Sequence, residues 1–411
     1  MKILHTSDWH LGQSFYDFDR SEEHRHFLRQ LMVLTQEHQP DVLLVCGDVF
    51  DRINSTNEAR NMYIDTLLAL HDQNPDMTIV VTAGNHDNKT LLNLEGKVWN
   101  RLKVNVIGQV ERKGDGSVNL DRHIVEVKKN DRKTIGFVVA VPHIFEQNYP
   151  QLDPDVPKED RIKQFFNALQ EKALERNPQQ LPMVLSAHLA VTGGDFTGHD
   201  FQDMIGHIAT VDRQWLGSAY DYIALGHIHG AQKVKDSQPL ARYCGAPVPV
   251  SFDERGIHGV SLVTLETGQS PVVEHLPIEN LKPLLTIPQK PAPFTEALEE
   301  LQRIDPDIPA YIRVNILEDA PLPPNYREAV ELTLNDKKAR FCALKRTSVK
   351  DKTAGDATEN AILYDQDNIP DPMELAKMFY QQKYGNEMPE ELNKRLAEAV
   401  RKTQLQDGDD D

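Results

Sequence analysis

The sequence predicts an α/β fold, and three observations carry the prediction. Short apolar runs recur through the first 230 residues, and each breaks abruptly into polar side chains, as strands buried on both faces do. Between those runs lie segments whose apolar residues fall at helical spacing. A hydrophobic content of 39% and a charged content of 26% over 411 residues supply a substantial core plus one or two further units.

Taken in order, Lys2 to Asp8 reads as a short strand running into Asp8-Trp9-His10. Phe27, Leu31 and Leu34 mark a helix from Ser21 to Gln39, with Ser21 expected as its N-cap and Pro40 closing it. The strand Asp41–Asp48 ends in Gly47-Asp48-Val-Phe-Asp51, and a helix follows from about Asn57 to His71. The stretch Thr78-Ile-Val-Val-Thr-Ala-Gly-Asn-His-Asp87 climbs as a strand and delivers an amide, an imidazole and a carboxylate without a spacer. Gly84 is expected to let the backbone bend tightly there. Leu91, Leu94, Val98 and Leu102 form a stripe on the next helix that suits either core or a subunit contact.

Residues 121–142 read as paired strands. A helix with Ile162, Phe165, Phe166, Leu169 and Ala173 on one face precedes the strand Pro182–His188, and Asp221–His229 repeats the strand-then-polar theme. Strands at 260–265 and 272–276 close this region. From Pro283 to Thr347 the pattern runs strand, helix, strand, helix, strand, a small α/β unit with its own core. Residues 348–370 read as a polar linker. Two short helices follow, one opening at Asp371-Pro-Met-Glu374 and one at Pro389, each with an apolar stripe that needs a partner surface.

Composition excludes some functions and weakens others. No apolar run approaches the roughly 20 residues of a membrane span. Asp8 and His10 stand where a secretion signal would need its apolar stretch, so no export is expected. Cys46, Cys244 and Cys342 form no CxxC pair, which argues against a disulfide framework and fits a reducing cytoplasm, with all three read as small buried hydrophobes. Forty-five Lys and Arg against 63 Asp and Glu give a net charge of −18, which on its own disfavours a nucleic-acid partner. Part of that acid sits in the terminal Asp407-Gly-Asp-Asp-Asp411, and carboxylates that hold metal ions are counted as if bare.

The chemistry lies where the strands end. Asp8 and His10, Asp48, Asn85 and His86, His188, and His227 and His229 each follow an apolar run, and in a parallel-type sheet such ends converge on one crevice. Carboxylate, imidazole and amide ligands without thiolate suit manganese, iron or zinc. There are enough of them for two ions with one carboxylate left to bridge, the apparatus for in-line displacement at phosphorus.

Asp8-x-His10, Gly47-Asp48-x-x-Asp51-Arg52, Gly84-Asn85-His86-Asp87, His188 and Gly226-His227-x-His229 resemble, in order, the motif series of the calcineurin-like metallophosphoesterases. Within that superfamily, His5-Thr-Ser-Asp-Trp-His-Leu-Gly12 and Tyr243-Cys-Gly-Ala-Pro-Val-Pro-Val-Ser-Phe-Asp-Glu254 are similar to the bacterial SbcD nuclease subunits, and the similarity covers nearly the whole chain. The resemblance implies a metallophosphoesterase β-sandwich flanked by helices over 1–280, an α/β capping domain over 281–347, a linker over 348–370 and a helical partner-binding tail over 371–411. It implies one metal ion on Asp8, His10, Asp48 and His229, and a second on Asp48, Asn85, His188 and His227. His86 would contact the scissile phosphate and protonate the leaving oxygen, Asp87 would orient His86, and Asp51 and Arg52 would support the ligands.

The same resemblance implies an exonuclease on duplex ends and an endonuclease on single strands and hairpins. It implies manganese as the ion, and a homodimer within a heterotetramer with an SbcC-type coiled-coil ATPase. The basic run containing Lys337, Lys338, Arg340, Lys345 and Arg346 offers phosphate contacts for DNA, although a solvated strand edge is the commoner meaning of such a run. The other histidines, His143 and His258 among them, match no motif and read as structural or surface residues. Two competing readings are a phosphatase or small phosphodiesterase using the same site, and a scaffold that has lost catalysis, which usually shows as missing ligands.

Overall fold

Strand β1 (Lys2–Thr6) shows why the apolar runs are unbroken: Ile3 and Leu4 are both fully buried, one on each face. Ile3 packs between two sheets, whereas Leu4 packs toward helices. The same division runs through β4 (Val42–Cys46) and β5 (Thr78–Thr82). Val42, Leu44, Cys46 and Val80 enter the inter-sheet core, and Leu43, Val45, Ile79 and Val81 enter the helix-side core. A period of two with both faces apolar reads in the sequence as a continuous run. The computed structural model describes residues 1–130, 133–196, 210–318 and 322–348, with Tyr380, Met388, Pro389, Leu392, Asn393 and Arg395 beyond them.

The chain divides into two compact units, 1–347 and 348–411. In the first, a six-stranded sheet has the order β14 (Val272–Pro277), β13 (Gly259–Thr264), β1, β4, β5, β6 (Val104–Ile107). Strands β1, β4, β5 and β6 are mutually parallel, and β13 closes antiparallel on β1. The second sheet runs β11 (Gln232–Lys233), β12 (Leu240–Tyr243), β10 (Tyr222–Gly226), β9 (Met183–His188), β8 (Lys133–Val141), β7 (Ile124–Lys129). Its strands β8, β9, β10 and β12 are parallel. Val125, Val138, Val184, Tyr222 and Ala224 of this sheet meet Ile3, Leu44 and Val80 of the first, forming the sandwich interior.

Helices α1 (Ser21–His38), α2 (Asn57–Gln73) and α3 (Lys89–Trp99) cover the first sheet, and α4 (Arg161–Arg176) covers the second with Phe165, Phe166 and Leu169 fully buried. One local expectation is corrected and another is narrowed. Ser21 is the first helical residue and does not cap α1; its amide and hydroxyl donate to the carboxylate of Asp19, which terminates the short hairpin β2 (Ser14–Phe15) and β3 (Phe18–Asp19). The stripe of Leu91, Leu94, Val98 and Leu102 is core only in part: Leu94 and Val98 are 59% and 69% exposed, which leaves them the subunit-contact alternative, while Leu102 packs against the core and Leu92 and Trp99 face inward.

Strands β15 (Leu284–Ala292), β16 (Tyr311–Glu318) and β17 (Arg340–Ser348) form a third sheet, packed by α5 (Phe294–Gln302) and α6 (Tyr326–Thr333) around Ala297, Leu301, Ile312, Val314 and Val330. A buried polar knot ties this layer to the start of α1: Arg20 and Tyr311 donate to Glu23 Oε1, and Lys282 donates to Oε2. The predicted linker and tail helices fall outside the described residues apart from the isolated positions named above. Cys46 and Cys244 are buried as expected, whereas Cys342 is half-exposed. Among the described residues no helix is long and apolar enough to cross a membrane.

Candidate metal centre

The parallel strands deliver their polar ends to one place, but from two sheets. Asp8, Asp48 and Asn85 follow β1, β4 and β5 of the first sheet, while His188 ends β9 and His227 follows β10 of the second. Backbone hydrogen bonds lace these ends together. Asp8 N donates to Gly47 O, His10 N to Asp48 O and Leu11 N to Val49 O, all near 3.0 Å. The amide of His227 donates to both oxygens of Asp8 at 3.1 and 3.2 Å, which couples the two sheets directly. Four of these residues hold left-handed backbone conformations: Asp8 (φ 52°), His10 (φ 44°), Asp48 (φ 48°) and His227 (φ 103°). Non-glycine residues persist there only when their surroundings over-determine them, and such strain clusters at functional sites.

Two donor groups result. Ligand atoms of Asp8, His10 and His229 lie within 4.8 Å of one another, and so do those of Asp48, His188 and His227. Asn85 joins the second group, its Oδ1 lying 3.0 Å from His188 Nε2 and 3.1 Å from His227 Nδ1. Asp48 stands between the groups, with Oδ2 at 3.2 Å from His188 Nε2 and 3.9 Å from His10 Nε2. Two of the rings are turned by a hydrogen bond at the nitrogen away from the donor group. His188 Nδ1 donates to Cys46 O at 2.8 Å, and His229 Nδ1 donates to Glu254 at 3.1 Å. His10 Nδ1 lies 3.4 Å from Asp51 Oδ1, close enough for charge pairing but not aligned as a hydrogen bond. Arg52, 73% exposed, reaches the other Asp51 oxygen at 3.5 Å.

This set fits a divalent ion. The donors are carboxylate, imidazole and amide oxygen, with no thiolate, and His10 Nε2 is buried with no hydrogen-bond partner among the described residues. The cluster also draws positive charge. Burial works against a charged His10, yet Asp51, Asp48 and Asp8 outweigh it and raise the ring to about 9. Burial likewise opposes a charge on His188, and Asp48 raises it to about 9. Burial alone would raise the Asp48 carboxyl, but His188 and His10 hold it well below the usual range. An ion taken up here would displace those protons.

The remaining expectations divide. The ring of His86 stands 5.0 Å from that of His10, its amide donates to Asp48 Oδ1, and its Nδ1 donates to the main-chain oxygen of Asp51 at 2.9 Å. Asp87 makes no hydrogen bond to that ring. It accepts three backbone N–H groups, from Gly84 at 2.8 Å, Phe50 at 2.9 Å and Val49 at 3.2 Å, and so ties the Asn85 and Asp48 loops to each other. Gly84 is needed for close approach and not for a bend: its φ lies outside the left-handed region, and a Cβ there would stand 1.9 Å from Asp48 Oδ1.

The basic run makes contacts around the third sheet, with Lys338 and Lys345 in solvent-exposed ion pairs. Lys337 donates to the carbonyls of Gln302 and Ile304, Lys338 pairs with Asp307, and Arg340 bonds neighbouring carbonyls. Lys345 pairs with Asp253, and Arg346 lies over the Tyr326 ring. Conversely, two residues to which the sequence assigned no role at the site stand at the centre, Glu254 at the end of the Tyr243–Glu254 motif and His143 outside every motif. Glu254 holds His229, and His143 packs its ring 6.0 Å from His188 and 6.3 Å from His227, with Nε2 buried and unpartnered among the described residues. The available signal for His143 was positional, since Val141-Pro142-His143 is one more strand end beside β9.

Comparison with known proteins agrees with this geometry. A family model described as calcineurin-like phosphoesterase matches residues 1–231. The chain is 35% identical over 318 residues to the SbcD component of the SbcCD nuclease of Rhodobacter capsulatus, covering 75% of this chain and 77% of that protein. It is 31% identical over 343 residues to the Escherichia coli K12 protein of the same name (81% and 82% covered) and 28% identical over 290 residues to that of Bacillus subtilis (69% and 71%). The chain therefore belongs to the calcineurin-like phosphoesterases and, within them, to the family of SbcD nuclease subunits.

Proposed function

We propose that this protein is a two-metal DNA nuclease subunit that hydrolyses phosphodiester bonds, as an exonuclease on duplex ends and an endonuclease on single strands and hairpins. The observation that carries the reading is the pair of donor groups joined through Asp48 at the meeting edge of two sheets. Asp8, His10, Asp48 and His229 would hold one ion, and Asp48, Asn85, His188 and His227 the other, with manganese the proposed metal. Two such ions activate water and neutralise charge on the phosphoryl oxygens.

His86 supplies the proton chemistry. With Nδ1–H committed to the Asp51 carbonyl, Nε2 is the atom that can carry a proton to the leaving oxygen. Asp87 and Gly84 set the distance between the Asn85 and Asp48 loops, and Asp51 and Arg52 steady His10. The reading divides the chain into a nuclease domain at 1–280, a capping domain at 281–347, a linker at 348–370 and a partner-binding tail at 371–411. That tail would dock on a coiled-coil ATPase of the SbcC type in the cytoplasm, with DNA as substrate. The exposed Leu94 and Val98 on α3 support a homodimer through that face.

The test compares linear duplex DNA with a chromogenic phosphodiester, each with manganese, with and without the ATPase partner and with residues 371–411 removed. Cleavage of the duplex that depends on the metal is the expected result. Ester turnover with DNA left intact, partner included, would instead identify a small-molecule phosphodiesterase.

A further inference from the structure

The loop Val250–Glu254 belongs to neither sheet, yet it reaches the metal centre. The Glu254 side chain is 2% exposed, and its carboxylate has three sets of partners. Oε1 accepts the Nδ1–H of His229 at 3.1 Å, Oε2 faces His258 Nε2 at 3.6 Å, and both oxygens take the amide of Val250 at 3.2 and 3.0 Å. His258 is anchored in turn, its Nδ1 donating to Ala246 O at 2.8 Å, while the Ala246 amide donates to His229 O at 2.9 Å. The carboxylate, the two rings and the two loops thus close a ring of polar contacts behind His229, hydrogen-bonded throughout except for the 3.6 Å approach of His258 to Glu254.

The next residue back is gripped from the third sheet. Asp253 accepts Arg313 Nη1 of β16 at 2.8 Å and pairs with Lys345 of β17 at 3.4 Å, and the Arg313 guanidinium lies 5.1 Å above the Phe252 ring. The loop that carries Glu254 is therefore positioned by the small α/β layer as well as by the sandwich.

We propose that Glu254 is the positioning residue for His229: it fixes the ring so that Nε2 faces Asp8 and His10, and raises the basicity of that nitrogen, with Arg313 holding the loop in register. Partners of this kind behind a ligating histidine are worth about 10- to 100-fold in metal affinity. The proposal rests on His229 being a ligand, as assigned above.

Manganese uptake by the full chain, followed by calorimetry, tests it without any activity assay. The wild type binds two ions. Glu254→Gln keeps an acceptor for Val250 N–H but removes the charge, and should weaken one ion by about 10- to 100-fold while the second keeps its affinity. Arg313→Ala should weaken the same ion less. His229→Ala should lose that ion outright, and adding Glu254→Gln to it should cost nothing more, because both act at one atom. The urea midpoint of Glu254→Gln in chelator should match the wild type.

Wild-type affinity for both ions in Glu254→Gln overturns the role of Glu254 alone. Equal weakening of both ions with a lowered urea midpoint overturns it too, since it marks a general structural part. A wild type that takes up no manganese removes the assignment of His229, and this proposal with it.

Discussion

Replacing Asp87 by alanine separates two ideas about the Asn-His-Asp segment. If the carboxylate oriented His86, its loss would cost cleavage and leave stability alone. The structure instead gives it three buried amides, those of Gly84, Val49 and Phe50. Leaving a buried N–H unpaired costs about 1–3 kcal/mol, so three cost roughly 3–6 kcal/mol when neighbouring groups relax in part. Against this stands the discomfort of the carboxylate itself. Burial and the nearby Asp48 push its pKa up to about 6, which returns about 3 kcal/mol when the group is deleted. The amides are not outweighed, and Asp87→Ala should lose up to about 3 kcal/mol of stability. Urea unfolding in chelator measures this, and manganese uptake should fall together with the midpoint because the Asp48 and Asn85 loops separate. A variant with wild-type stability and metal content but no cleavage would refute the lacing role and return Asp87 to His86.

Further outcomes follow from single distances and exposures. Gly84→Ala places a methyl carbon 1.9 Å from Asp48 Oδ1, and should abolish metal uptake and cleavage while circular dichroism shows the sandwich intact. His86→Ala should stop DNA cleavage with both ions retained in dialysis, whereas Asp48→Ala should lose both. Burial alone would raise the Glu23 carboxyl, but Arg20, Lys282 and Tyr311 hold it below the usual range. Its contribution to stability is therefore present above the unfolded value of about 4.3 and is lost as pH falls through the folded one. Thermal midpoints of the wild type should drop more steeply below about pH 4 than those of Glu23→Gln. Val98→Asp on α3, at a position 69% exposed, should convert a dimer to a monomer in sedimentation without lowering the unfolding midpoint.

What could be read from the chain alone follows from how local each cause is. Strands β1, β4 and β5 were legible because burial on both faces leaves uninterrupted apolar runs, and the polar residues at their ends stand at fixed positions after them. That the ends come from two sheets is a tertiary fact, carried by pairings such as Leu225 with Ala187 that no periodicity encodes. Direction is equally hidden. Asp87 and His86 are neighbours in sequence, yet one points back to the strand loops and the other toward His10. Ser21 looked like a cap because its type favours that position, but Asp19, two residues earlier, takes the bonding role. Glu254 sits in a loop with no periodicity, 25 residues from the histidine it holds, and only the fold brings the two together.

The positive φ angles at Asp8, His10, Asp48 and His227 connect these levels. Each such residue stores about 1–3 kcal/mol of strain, which a segment free to relax would shed. Here relaxation is blocked, because the same residues make the bonds that lace the loops: Asp8 N to Gly47 O, His10 N to Asp48 O, and His227 N to the Asp8 carboxylate. Rotating any one of them back to an ordinary conformation would break a buried hydrogen bond and move a ligand of one ion or both. The ligand geometry is therefore a property of the folded backbone and not of side-chain rotamers alone. For the same reason, substitutions at Gly84 and Asp87, which bear no proposed ligand atom, are expected to be as damaging to metal uptake as substitutions of the ligands.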